Sequence, residues 1–189
     1  MHAFLLSFGV IFVAELGDKS QLMALTFAAR YRALPILIGL AIATALIHAV
    51  SVAVGAIVGA ALPTRALSLI AGLAFFGFAA WSLRGDTLTD DEAGRAARTD
   101  HSAIVAASIA FFLAEIGDKT MLATITLATN EGLFGVWLGS TLGMVAADAL
   151  AILVGQQLGA RLPQRAIRIG AFVAFLVFGV VLVVEGIRG

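Results

Sequence analysis

The sequence predicts an all-α membrane protein with six transmembrane helices arranged as a 3+3 inverted repeat and both termini outside. Three observations predict it. Of the 189 residues, 61% are hydrophobic and only 13% charged, where soluble domains carry about 25% charge. Six apolar stretches each reach the ~20 residues a spanning helix needs. The first half of the chain also matches the second at a constant offset of 100 positions.

The six stretches are roughly 4–28, 34–61, 66–84, 103–128, 132–160 and 166–187. The start, M-H-A-F-L-L, lacks the basic region of a cleaved signal peptide, so the first stretch is expected to be a retained helix. Breaks fall at Arg30-Tyr31-Arg32, Leu62-Pro63-Thr64-Arg65, Asn130-Glu131-Gly132 and Arg161-Leu162-Pro163. The one long polar stretch lies between the third and fourth spans. The domain reading is therefore 1–84 as a first three-helix unit, 85–101 as a cytoplasmic polar linker, and 102–189 as a second, inverted unit. Basic loop residues mark the cytoplasmic side. Arg30, Arg32, Arg84, Arg95, Arg98, Arg161, Arg165 and Arg168 fall on one side, and only Arg65 and Arg188 on the other.

The repeat runs without a gap. Phe12 matches Phe112, Gly39 matches Gly139, Gly55 matches Gly155, and Pro63 and Arg65 match Pro163 and Arg165. Three spans per unit make the second unit enter the membrane from the opposite side. Inverted units are the recurring architecture of secondary transporters, with the substrate near the midplane.

Each unit carries one copy of a charged motif inside its first apolar stretch: A-E-L-G-D-K-S from Ala14, and A-E-I-G-D-K-T from Ala114. A charge at the centre of a spanning helix costs ~2.5–3.5 kcal/mol on insertion scales, so such residues pair with each other or with a ligand. Residues three and four apart share a helical face, which would turn both triads into the bundle. Glu15, Asp18, Glu115 and Asp118 with Lys19 and Lys119 sum to two negative charges. One divalent cation balances that sum, and so do two protons, which gives cation–proton exchange a physical basis. Carboxylate oxygens suit Ca2+, Mg2+ and Mn2+. Ser20, Thr120 and Gln21 add neutral oxygens, and the lysines serve charge balance or gating. Gly17 and Gly117 allow either close helix approach or a local break that frees carbonyls. A plain ion-pair staple, Lys19 with Asp118 and Lys119 with Asp18, would leave Glu15 and Glu115 unaccounted for.

The copies differ where selectivity is expected to be set. His48 aligns with Asp148, and Gln21 with Met121. Asp148 and His48 are candidates for proton coupling or a secondary site, since imidazole titrates near neutrality. Met121 is a selectivity candidate, because thioether and imidazole favour a first-row transition metal over Ca2+.

The E-x-G-D-K-[ST] pair resembles a family of cation–proton antiporters. It includes Golgi Ca2+/Mn2+ transporters, chloroplast manganese transporters and bacterial manganese exporters, and belongs to the lysine-exporter superfamily. The resemblance covers essentially the whole chain. It implies a six-helix 3+3 inverted repeat, with Glu15, Asp18, Glu115 and Asp118 as the working acids and Lys19, Ser20, Lys119 and Thr120 completing the motifs. His48 and Asp148 stand where bacterial members carry such residues. Met121 departs from the Gln expected in many relatives, which bears on metal preference.

The expectation is a secondary transporter that exports Mn2+, with Ca2+ as a second candidate cargo, in exchange for protons across a prokaryotic inner membrane. The cation is cargo; no resident cofactor is expected. An exporter of a small organic cation or amino acid, a passive divalent-cation channel and a non-transporting assembly factor are the competitors. Zero net charge gives no case for nucleic acid, and the absence of cysteine removes thiolate metal sites and iron–sulfur clusters. No nucleophile–base pair or cofactor motif points to an enzyme. Oligomeric state is not legible.

Overall fold

A computed structural model describes residues 1–16, 18–28, 32–84, 103–158 and 164–188. The expected linker 85–101, Gly17 and the side chain of Lys19 lie outside the described residues. Among those described, the secondary structure is all helical. The helices are α1 His2–Glu15, α2 Lys19–Ala28, α3 Ala33–Ala61 and α4 Thr64–Arg84, followed by α5 Ala103–Glu115, α6 Lys119–Asn130, α7 Leu133–Leu158 and α8 Gln164–Arg188.

Three helical stretches are each long and apolar enough to cross a membrane: Ala33–Ala61, Thr64–Trp81 and Leu133–Leu153. Outward-facing Ile38, Ile42, Leu46, Val50, Val54 and Ile57 along α3 are exposed. This spacing of three to four residues gives the helix a lipid-facing stripe opposite its buried one.

The stretches 4–28 and 103–128 were expected as single helices, and here the structure differs. Each is broken at its motif. α1 ends at Glu15, where Leu16 turns extended at ψ 120°, and α2 begins at Lys19. α5 ends at Glu115 and α6 begins at Lys119. In both breaks the Asp N–H reaches back to the Glu carbonyl, Asp18 to Glu15 at 3.0 Å and Asp118 to Glu115 at 3.1 Å. The physical reason is clearest in the second copy. Gly117 sits at φ +77°, a left-handed conformation that glycine adopts without a Cβ penalty. Asp118 then caps α6, its carboxylate accepting from the Thr120 N–H at 3.5 Å. The same-face argument for the triads therefore fails in detail: Glu belongs to one helix, and Asp and Lys to the start of the next. At ~1.5 Å per residue, the 14 residues of α1 cover about 21 Å, so α1 needs α2 beyond it to match a ~30 Å hydrocarbon core.

α1 lies against α7, α3 against α5 and α6, and α4 against α8. Glycine sets the closest approaches. A Cβ on Gly139 would stand 2.4 Å from the Phe4 carbonyl oxygen, and one on Gly39 2.6 Å from the Ile104 oxygen. These two sites are repeat mates, and so are the residues they meet, Phe4 and Ile104. Other contacts join positions 100 apart directly. The Thr44 hydroxyl donates to the Met144 sulfur at 3.4 Å, and the rings of Phe75 and Phe175 lie 5.8 Å apart. Phe75–Phe178 at 6.0 Å and Phe78–Phe175 at 5.9 Å repeat each other with the copies exchanged.

One end of the bundle gathers both chain termini. His2 faces Glu131 at 3.3 Å, and Arg65 donates to the carbonyls of Gly186 and Ile187 at 2.9 and 3.0 Å. We call this the terminal end. One apolar cluster, with Val10, Ile11, Val52, Phe75, Leu127 and Val136, fills the half toward it. A second, with Met23, Ala24, Ile36, Leu40, Ala107 and Phe111, fills the opposite half. The motifs lie between the two.

Candidate metal centre

The two helix breaks carry the acids to the middle of the bundle. Glu15, Asp18, Glu115, Asp118 and Asp148 are all buried, none more than 4% exposed. Glu15, Asp18 and Glu115 each offer a carboxylate oxygen, and these oxygens lie within 4.8 Å of one another. Three oxygens that close, from α1, the start of α2 and α5, form the only such group among the described residues.

Four of the five acids have a hydroxyl beside them. Ser20 donates to Glu15 and lies 3.4 Å from an oxygen of Asp148. Thr120 donates to Glu115 at 3.0 Å and lies 3.5 Å from Asp118. The second oxygens of Glu15, Glu115 and Asp148 are buried with no hydrogen-bond partner. A buried polar atom left unpaired costs ~1–3 kcal/mol and more when charged, so these oxygens call for a proton or a cation. Lys119, buried at the start of α6, ion-pairs with Asp18. That is one of the two cross-copy pairs a staple would use, while Glu15 and Glu115 take their hydrogen bonds from Ser20 and Thr120. Coulomb attraction is strong at such burial, but desolvation of both partners offsets much of it, so the pair orders the site more than it stabilises the fold.

The other expected residues divide. Asp118 and Asp148 lie outside the group of three and join it through Thr120 and Ser20. Gln21 is buried and spends its amide N–H on the Ala147 carbonyl at 3.0 Å, tying α2 to α7. His48 is buried on α3, its Nδ1 3.4 Å from the Thr141 hydroxyl. Met121 does not turn to the acids: its sulfur accepts from the Gly117 N–H at 3.3 Å on the exposed side of the break. Thr141 and Thr124 escaped the sequence reading. Thr124 returns its hydroxyl to the Thr120 carbonyl at 2.8 Å. The available signal was spacing, since Thr124 stands one turn from Thr120, and Thr141 two turns from Asp148 on α7.

The chain matches the model of the divalent cation/proton antiporter GDT1 over residues 3–90 and 103–189, so both copies of the motif fall inside the match. The chain belongs to the GDT1 family. It is 35% identical over 171 residues to a Vibrio cholerae protein named "Putative manganese exporter", covering 89% of this chain and 84% of that one. It is 33% identical to the chloroplastic GDT1-like protein 2 of Oryza sativa, over 94% of this chain and 59% of the relative. It is 32% identical to the chloroplastic protein PAM71 of Arabidopsis thaliana, over 95% and 56%. The chain thus spans less than two thirds of the length of these two plant relatives. No solved structure matches. GDT1 is a family of membrane transporters, not of enzymes, and membership fits the chain's apolar helices.

Proposed function

We propose that this GDT1 protein exports Mn2+ from a prokaryotic cytoplasm across the inner membrane in exchange for protons. The observation that carries the reading is the buried group of Glu15, Asp18 and Glu115, with oxygens within 4.8 Å and two further carboxylates hydrogen-bonded at its edge. One cation between the two helix breaks would draw on Glu15, Asp18, Glu115 and Asp118, with Ser20 and Thr120 orienting the acids. When the cation leaves, protons take over the emptied oxygens. Lys119 supplies a tethered positive charge that the incoming metal displaces from Asp18. Gln21 holds α2 on α7, and Asp148 and His48 lie on the proton side of the coupling. Six spans as two inverted units, 1–84 and 102–189 about the linker, with both termini outside, complete the reading. Its support is the set of contacts between positions 100 apart, Thr44–Met144 and Phe75–Phe175.

Mn2+ is preferred because the Vibrio relative's name points to it. An all-oxygen site also suits Ca2+, and with the Met121 sulfur turned to Gly117 the site holds no soft ligand against it. Ca2+ is therefore the second cargo.

Purified protein in liposomes holding a pH dye and a metal dye tests this. A Mn2+ gradient should drive metal uptake matched by proton release, and Glu15→Gln or Glu115→Gln should abolish both. Metal moving without protons would make the protein a channel or uniporter. An inert wild type that responds to amino acids would favour the organic-cation exporter.

A further inference from the structure

The two halves of the bundle are built alike but filled differently. In the terminal half the buried residues include Ser7, Thr124, Ser140, Thr141, His48 and Ser51. Their repeat mates in the opposite half are Ala107, Ala24, Leu40, Ala41, Asp148 and Ala151. Ser7, Thr124, Ser140, Thr141 and Ser51 thus each have an alkyl side chain at the equivalent place across the acids, whereas Thr64, Ser68 and Thr126 nearer the terminal end have the polar mates Gln164, Arg168 and Thr26. Ser51 and Thr124 return their hydroxyls to backbone carbonyls of their own helices, and Thr141 meets His48. Ser7 and Ser140 do not: both hydroxyls are fully buried with no hydrogen-bond partner. Ser7 stands two turns from Glu15 on α1, and Ser140 two turns from Asp148 on α7, each displaced toward the terminal end. In the opposite half the half-buried Ser108 is committed to the Gly39 carbonyl at 3.0 Å.

A cavity of about 180 Å³ opens at the terminal end. Thr64, Ser68, Thr126 and Asn130 line it, with the carboxylates Glu131 and Glu185. Phe75 and Leu127 are also in its wall, and Leu127 lies one turn from Thr124 on α6. Buried polar atoms without partners are where water enters a protein, and neutral hydroxyls can replace part of a small cation's hydration shell where alkyl groups cannot.

We propose that the terminal half of the bundle is the aqueous access route to the acids for a small hydrated cation. It is lined by Ser7, Thr124, Ser140 and Thr141, and it opens into the cavity carrying Glu131 and Glu185. Both halves hold an apolar cluster, but the opposite half has Ala24, Leu40, Ala41 and Ala107 where the terminal half has these four hydroxyls, which makes it an apolar gate that passes a cation only when its helices part. The inference rests on the acids being the cation site. It adds that the two faces of the transporter are unequal in chemistry although equal in fold.

The chain has no cysteine, so single thiols report cleanly. Ser7→Cys, Thr124→Cys and Ser140→Cys, and the mates Ala107→Cys, Ala24→Cys and Leu40→Cys, are placed in lipid nanodiscs, where both faces meet solvent. Each is exposed to silver nitrate, and the surviving thiol is counted with a maleimide dye after denaturation. The terminal thiols should be consumed at least an order of magnitude faster than their mates. Equal rates in the two halves, or protected terminal thiols, would overturn the route. As a second arm, the triple variant Ser7→Ala/Thr124→Ala/Ser140→Ala should lose most Mn2+ flux in liposomes yet keep wild-type equilibrium Mn2+ binding, read from the electron paramagnetic resonance of free Mn2+. Undiminished flux in that variant would also refute the route. Wild-type protein that moves Mn2+ without proton counterflow would sink the antiport reading, while the thiol asymmetry would still support the route.

Discussion

Replacing Lys119 with methionine keeps the length of the side chain and removes its charge. Lys119 and Asp18 are 5% and 0% exposed at their side chains, so water cannot stand in for the lost partner. Breaking a buried ion pair from one side costs ~3–5 kcal/mol. A second route gives a similar size. Two ionised carboxylates at the 4.8 Å limit of the Glu15–Asp18–Glu115 group repel by ~3.5 kcal/mol at an effective dielectric constant of ~20, and Lys119 is the cation that offsets this. At about 2–4 °C per kcal/mol for a chain of this size, Lys119→Met should melt about 6–20 °C below wild type in metal-free detergent. Saturating Mn2+ should shrink the deficit, because the metal takes the place of the ammonium among the same oxygens. The assay is a thermal melt of wild type, Lys119→Met, Asp18→Asn and the double variant, each with and without Mn2+. A Lys119→Met melt equal to wild type, or a deficit that Mn2+ leaves unchanged, would refute the claim that Lys119 and the cation share one site.

Gly139→Ala should destabilise the fold strongly in the same melt, because its Cβ would stand 2.4 Å from the Phe4 carbonyl oxygen and 3.0 Å from the Phe8 nitrogen, both backbone atoms that cannot swing aside; Gly77→Ala, with nothing within 4 Å, should be neutral or slightly stabilising. Gly117→Ala has room around it but sits at φ +77°, so it should cost ~1–2 kcal/mol from backbone strain alone and slow transport by disturbing the break. Met121→Gln should leave the ratio of Mn2+ to Ca2+ affinity unchanged, measured by competition binding, because the sulfur is turned to the Gly117 N–H.

The all-helical, membrane-spanning character was legible because composition is a global property. Charge is scarce throughout, and the 100-residue offset persists from Phe12 to Arg65. The acids were legible for the same reason, since ionisable groups inside apolar stretches have few explanations. Less legible was the break. E-L-G-D-K and E-I-G-D-K read equally well as continuous helix with a packing glycine, and only the φ of Gly117 and the cap at Asp118 decide between the two. Met121 shows the limit of sequence spacing. It stands beside Thr120, but the break gives it a local N–H to accept from and turns it from the acids. The Lys119–Asp18 pair was within reach as one half of a symmetric staple, but the approach of Ser20 to Asp148 depends on how helices distant in sequence pack, which no local pattern encodes.

The interrupted motif helices have a mechanical consequence. In an unbroken helix the Glu and the Asp three residues later would ride on one rigid rod, at a separation fixed by helical geometry. Here Glu15 closes α1 and Asp18 opens the next segment, and Glu115 and Asp118 straddle a joint at Gly117 in the same way. The gap between the oxygens therefore depends on the angle between two helical segments at each break. On the proposed function, an ion held in that gap would act as a spacer whose radius fixes how far two levers stand open. The far ends of those levers are the helices that pack across the other copy. An ion of the wrong radius would then be rejected by the position in which it leaves the levers, as well as by how tightly it binds.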